Sequence, residues 1–316
     1  MNTRPRFLML LVLLTGCARP EPSSTATRAA AAGSDLDDAA WTQALVEHRE
    51  ETDESFRTSS TSPMAGTQRL QREAVDRIHL TRQDRTFSLA YDAEPAAEIA
   101  VVRGEMGWTW EDLGGDVACE IDGEPVAPDS ALAGPATFAI AGLHVRFYPS
   151  EDGVLFTVYD PERPEKTEFD HLLYFPPDRH YAVPAKLVKI AEPDPVVMLT
   201  SRSLKKTFYR YATLRFQLAG EDQELTAYKS SLDGEGSDYL FIPFRDATSG
   251  RETYGAGRFL DLDEPQSEDF ILDFNRAYNP LCNYSPAFNC PIPPRENHLK
   301  VAVRAGELTY PHPAGH

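Results

Sequence analysis

The chain has 316 residues and carries 31 basic against 49 acidic side chains, a formal charge of −18. At 41% apolar and 25% charged residues it has an ordinary globular composition, long enough for one large hydrophobic core or two smaller ones. The acidic balance argues against nucleic acid, whose phosphates demand a basic surface, and against adsorption to anionic lipid through a basic face.

Arg4 and Arg6 precede residues 7–14, an unbroken apolar run of eight. A bilayer span needs about 20 helical residues, so this run fits instead the core of a signal peptide over 1–16. Leu14-Thr15-Gly16-Cys17 resembles a bacterial lipobox. The resemblance implies that Cys17 carries a diacylglyceryl thioether and becomes the mature N-terminus, the alternative being a secreted chain cleaved elsewhere. It implies a lipid-anchored protein of the bacterial cell envelope, partnered with the membrane through that anchor. Ala18 stands where some bacteria place an Asp that retains the protein in the inner membrane, which favours the outer membrane or periplasmic face. Two or more acyl chains suffice for stable anchoring. Residues 17–34 are then a lipidated, disordered tether, since Ala, Ser, Thr, Pro and Gly cannot bury enough to offset their ordering entropy. Such a tether holds the body roughly 20–25 Å from the bilayer.

Residues 35–57 read as one long helix, with Trp41, Leu45 and His48 on one face and Ser34 or Asp35 as cap. Residues 58–67 are loop-like, and 68–78 suit a shorter helix. Alternation then takes over. Val117, Cys119 and Ile121 share a face, with Asp122-Gly123 as a hairpin turn; Leu143, Val145 and Phe147 share another. Residues 155–159, Leu214-Phe216-Leu218, 239–244, 258–262, 270–274 and 299–305 complete the expected strands, with Pro243 marking a bulge or a free edge. The fold class expected is mainly β, antiparallel sandwich or barrel-like sheets with one N-terminal helix. The Pro-rich stretch 160–164 separates a helix-plus-β region, 35–160, from a C-terminal β domain, 165–310.

Setting Cys17 aside, three cysteines remain. Cys119 reads as a buried thiol on the apolar face of its strand. Cys282 and Cys290 bracket a seven-residue loop, and outside the cytosol a disulfide is the expectation, worth roughly 2–3 kcal/mol. Free thiols, or a metal with His298, are the alternatives; the Cys-x7-Cys-x7-His spacing matches no zinc site, so no metal is expected.

From 241 to 307 the chain changes character. Phe244-Arg245-Asp246-Ala247-Thr248-Ser249-Gly250 runs into Thr253-Tyr254-Gly255-Ala256-Gly257-Arg258; Asp273-Phe274-Asn275-Arg276-Ala277-Tyr278-Asn279-Pro280-Leu281-Cys282 follows; then Cys290-Pro291-Ile292-Pro293-Pro294-Arg295-Glu296-Asn297-His298-Leu299 and Ala305-Gly306-Glu307. These motifs, with Phe169-Asp170-His171-Leu172-Leu173-Tyr174-Phe175-Pro176, resemble the bacterial family catalogued as domain of unknown function 1684. The resemblance is strong over about 70 residues and looser over 166–310. It implies no activity, since the family has none assigned.

The chemistry of the run is that of a polar site. Asp246, Thr248, Ser249, Tyr254, Arg258, Asp273, Asn275, Arg276, Tyr278, Asn279 and Asn297 supply carboxylates, guanidinium groups, amides and amphipathic rings. In a concave setting they would bind a polar small molecule or glycan. Asp246 and Asp273 would serve a hydrolase as an acid/base pair, with Arg258 or Arg276 orienting substrate. A loop network that satisfies its own polar groups would leave the same residues, and the chain would then be a structural or partner-binding lipoprotein. Ser249 lies in no G-x-S-x-G elbow, Gly255-x-Gly257 lacks the third glycine of a dinucleotide loop, and no cofactor pattern occurs.

Overall fold

The computed structural model describes residues 37–311 apart from 93, 106, 115, 151, 152, 203, 204, 234–236 and 238. Residues 1–34, where a signal peptide, lipidated Cys17 and tether are expected, lie outside the described residues. Strands make up 49% and helices 15% of the structure, so the class is mainly β, as expected from the alternation.

Helix α1, Asp38–Thr58, opens the described chain. Its cap is Asp37, two or three residues beyond the position expected, whose side chain accepts from the Ala40 N–H at 2.8 Å. Trp41, Leu45, Thr52 and Phe56 recur on one buried stripe.

Eleven strands follow up to residue 159: β1 Gly66–Glu73, β2 Arg77–Gln83, β3 Thr86–Ala90, β4 Ala97–Gly104, β5 Gly107–Asp112, β6 Val117–Ile121, β7 Glu124–Pro125, β8 Ala131–Leu132, β9 Ala136–Ile140, β10 Leu143–Ser150 and β11 Gly153–Tyr159. They form two antiparallel sheets, ordered β1-β11-β10-β9-β6-β7 and β3-β2-β4-β5-β8. The inward residues of both meet in one core, with Ile78, Leu80, Ile99 and Trp110 on one side and Phe138, Val145, Phe147 and Phe156 on the other. Each such side chain contributes about 1.5–3 kcal/mol by leaving water. Burial lifts the Cys119 thiol to about 12 in this core.

The expected helix over 68–78 is instead most of β1, a turn and the start of β2. Its helix-forming residues are overruled by the β1–β11 pairing, which runs from Gln68↔Val158 to Glu73↔Gly153. Three two-residue hairpins share one turn type. Asp122-Gly123, Ala141-Gly142 and Ala219-Gly220 all have positive φ at both positions, which matches the twist of the strands they join.

The remaining strands are β12 Ala182–Leu199, β13 Lys205–Leu218, β14 Glu221–Lys229, β15 Tyr239–Phe244, β16 Arg258–Asp263 and β17 Asp269–Asp273. They make a third antiparallel sheet, ordered β16-β15-β14-β13-β12-β17. Leu187, Leu214, Leu225, Ile242, Leu260 and Leu272 are buried together in its core. Residues 299–305, expected as a strand, form none. Leu299, Val303 and Ala305 are buried in this core, but the carbonyls of Val303 and Ala305 accept from a side chain rather than from a neighbouring strand.

Although α1 comes first, it packs on segments that follow residue 160. Trp41 Nε1 donates to Asp273 Oδ2 at 2.9 Å, Arg49 Nη1 to the Phe175 carbonyl at 3.0 Å, and the Leu172 N–H to Asp53 Oδ1 at 2.9 Å. The Arg49 guanidinium also lies 4.4 Å above the Tyr174 ring.

Strand β12 changes register between Lys189 and Asp194. An ion cluster sits at that shift. Glu264 accepts from Tyr211 Oη at 2.7 Å and from the buried Lys229 Nζ at 2.6 Å, and pairs with Lys189. Burial raises the Glu264 pKa, but the hydrogen bonds from Lys189, Lys229 and Tyr211 outweigh it and bring it down to about 2. A carboxylate depressed on folding contributes stability that is full above its unfolded pKa and is lost as pH falls through the folded value. The chain is therefore expected to lose about 3 kcal/mol from this group between about pH 5 and pH 2. Urea unfolding at a series of pH values checks this: Glu264→Gln should flatten the acid limb, and an unchanged slope would refute the assignment.

Candidate functional site

The motif run begins where β15 ends. Asp246 turns the chain by accepting the Thr248 N–H and Thr248 Oγ1 on Oδ1, both at 2.6 Å. Ser249 Oγ accepts the Asp246 N–H at 3.1 Å. The Thr248 carbonyl then gathers the N–H groups of Arg251, Glu252 and Thr253 at 3.0–3.2 Å, while the Thr248 and Thr253 hydroxyls meet at 2.8 Å. The Thr-Ser-Gly-x-x-Thr spacing is thus the wiring of a closed loop. Gly257 follows at φ +103°, where a Cβ would stand 2.5 Å from the Phe244 carbonyl. Gly306 is constrained in the same way, at φ +77° and 2.4 Å from the Ala277 carbonyl.

Arg258 is the centre of this loop and is fully buried. One terminal nitrogen donates to Asp246 Oδ2 at 2.9 Å and to the Val303 carbonyl at 2.7 Å. The other donates to the carbonyls of Ala305 and Glu307. The ion pair's side chains are 0% and 1% exposed. Burial lowers the Arg258 pKa, and Asp246 opposes that shift. The guanidinium holds three carbonyls of the segment 303–307 against β15 and β16.

A second network lies at the end of β17. Asp273 Oδ1 caps the turn at Phe274–Arg276 by accepting from the Asn275 backbone and side-chain nitrogens at 2.9 Å each, while Oδ2 takes Trp41 of α1. The Asn275 amide pairs with the backbone of Asp178, accepting its N–H at 2.9 Å and donating to its carbonyl at 2.8 Å. Asp246 and Asp273 therefore sit in separate networks, each with both carboxylate oxygens bonded. Arg276 is half-buried and its guanidinium meets no partner among the described residues.

A third network surrounds Glu307, a buried carboxylate that site reasoning on the sequence passed over although it closes the Ala-Gly-Glu motif. It accepts the Asn279 N–H at 2.8 Å and the Tyr284 hydroxyl. Asn279 Nδ2 donates to the Leu308 carbonyl at 2.7 Å, and Asn283 Oδ1 accepts Thr309 Oγ1 at 3.3 Å. Asn279 Oδ1 and Asn283 Nδ2 are buried with no hydrogen-bond partner among the described residues. Tyr278 donates to Asp261 at 2.5 Å.

Asn297 performs a different task. Strands β14 and β15 pair only at Tyr228↔Phe241, because Pro243 has no N–H to offer beyond it. The fully buried Asn297 amide fills the gap, accepting the Thr226 N–H at 2.8 Å and donating to the carbonyls of Thr226 at 2.8 Å and Pro243 at 2.7 Å. The irregularity expected at Pro243 is thus a short break in the ladder, bridged by a side chain.

The expected Cys282–Cys290 disulfide is not formed. Cys290 Sγ accepts the Cys282 N–H at 3.3 Å, and Cys282 Sγ accepts the Tyr254 hydroxyl at 3.7 Å, so each sulfur is directed to a donor. Burial and the neighbouring Cys282 push the Tyr254 hydroxyl far up from its ordinary pKa. Among the described residues no group of three His, Cys, Asp or Glu side chains is placed to hold a metal, and no helix is long and apolar enough to cross a membrane.

Residues 167–308 match the family model described as "Protein of unknown function (DUF1684)". A solution NMR structure of the uncharacterized protein from gene locus rrnAC0354 of Haloarcula marismortui is 40% identical, over 48% of this chain and 83% of that one, with a TM-score of 0.40. No curated protein matches.

Proposed function

Since residues 167–308 belong to the family of proteins of unknown function 1684, we propose that the motifs serve as a structural clasp in a lipid-anchored, partner-binding protein of the bacterial cell envelope. The observation that carries the clasp is the Asp246–Arg258 pair, 0–1% exposed, with its bonds ending inside the protein. A group so enclosed is out of reach of a substrate or ligand arriving from solvent. The anchor draws its support from the Leu14-Thr15-Gly16-Cys17 sequence alone.

One observation favours a second reading, a site for a small polar molecule: Asn279 Oδ1 and Asn283 Nδ2 are a buried acceptor and donor left unpaired. One set of experiments separates the two. In cells fed labelled palmitate the chain is expected to take up label that Cys17→Ser removes, and cross-linking should recover a protein neighbour. If instead a sugar or carboxylate raises the melting temperature, and Asn279→Ala abolishes that rise while leaving the fold intact, the clasp reading gives way to the ligand site. Absence of label from the wild-type chain would remove the anchor.

A further inference from the structure

The distal half of the β12–β13 hairpin has two unlike faces. Met198 and Phe208 point inward, and Phe208 stacks on Phe241 at 5.3 Å. The opposite face is uncovered. Pro195, Val197 and Leu199 stand across from Tyr209, Thr207 and Lys205 in the pairing register, so these residues share that face. Val197 and Leu199 are 54% and 56% exposed. The Cys-Pro-Ile-Pro-Pro motif extends the surface, since the Ile292 N–H donates to the Leu199 carbonyl at 2.8 Å and its side chain is 38% exposed. These three are among the most exposed large apolar residues described, and the fold brings them to one place.

The charge there is opposite to that of the molecule. From 195 to 220 the chain has five basic residues and no acidic one, although its overall charge is −18. Arg210 is tied to Asp194 and Glu296, and Arg215 to Glu224. Arg202 and Lys205 are exposed beside Leu199, and their charged ends meet no carboxylate among the described residues. Exposed apolar side chains ringed by cations complement a surface that is negative outside and hydrocarbon beneath. A two-fold contact with a second copy would instead set the same cations against one another.

We infer that this hairpin face docks on an anionic phospholipid surface, burying Val197, Leu199 and Ile292 at the headgroup boundary while Arg202 and Lys205 meet the lipid phosphates. The inference rests on the envelope-anchored reading for bringing the chain to a bilayer, but the contact itself needs no acyl chain. The test uses the full chain with Cys17→Ser, which cannot be acylated, and Leu199→Trp as a reporter against the buried Trp41, Trp108 and Trp110. With phosphatidylglycerol vesicles its emission should shift to shorter wavelength and be quenched by brominated acyl chains, and with phosphatidylcholine alone it should respond weakly. Adding Arg202→Gln and Lys205→Gln should weaken binding about 25-fold, at about fivefold per basic side chain. That variant is identical at its N-terminus, so it isolates the hairpin. An equal response to both lipids, no quenching, or a concentration-dependent shift without vesicles would overturn the inference, the last by assigning the face to a second copy. Docking on phosphatidylglycerol by a chain that takes no palmitate in cells would leave this contact standing and remove only the anchor.

Discussion

Replacing Arg258 with leucine is expected to destabilise the protein by about 3–5 kcal/mol, the cost of stripping a buried ion of its partner. Asp246 would remain enclosed with one oxygen turned toward an apolar group, and the carbonyls of Val303, Ala305 and Glu307 would lose their donor. A domain of this kind has about 5–15 kcal/mol in hand, so much of the stability would go. Urea unfolding of the purified chain measures it. Removing the charge pair altogether, with Asp246→Leu added, should recover at most part of the loss, because the carbonyls stay unpaired and the Thr248 N–H loses its acceptor. A single variant within about 1 kcal/mol of wild type would show that the clasp does not hold the fold.

Asn297→Ala should have an effect of similar size by another route. Three buried backbone groups, the N–H and carbonyl of Thr226 and the carbonyl of Pro243, would be left without partners in one step. At about 1–3 kcal/mol for each such group the expected loss is about 3–9 kcal/mol. Asn297→Asp keeps the acceptor for Thr226 but aims a carboxylate at two carbonyls, so near neutral pH it should be at least as unstable. Hydrogen exchange at the Thr226 amide reports the local break, and protection unchanged in both variants would refute the bridging role.

Both predictions concern residues whose identity stood out in the sequence while their direction did not. Leu143, Val145 and Phe147 were legible as a strand because a half-buried strand imposes a period of two on its own residues. Asp246 and Arg258 carried no such mark. Whether a polar side chain faces solvent or closes a loop depends on strands that pair across the chain, here β15 with β16. The same distance from local signals explains the other departures. The segment 299–305 alternates like a strand, yet Arg258 claims its carbonyls. Residues 68–78 favour a helix by composition, but β11 pairs with 68–73 and β4 with 77 and 78. Ala141-Gly142 and Ala219-Gly220 were not legible as turns because alanine seldom takes positive φ. The cysteine spacing fixed a loop length without fixing where each sulfur points.

The placement of α1 bears on how the chain reaches its native state. This helix is made before any of the strands described, whereas Asp273, which receives Trp41, comes more than 200 residues later (the two are 232 apart). The two sheets between residues 66 and 159 draw their pairings from within that span, so they have what they need while synthesis is still under way. The helix must wait with its apolar stripe uncovered until the third sheet is complete. Maturation thus runs middle first and ends last, and any factor that shields nascent chains would find its longest-lived target in the opening helix.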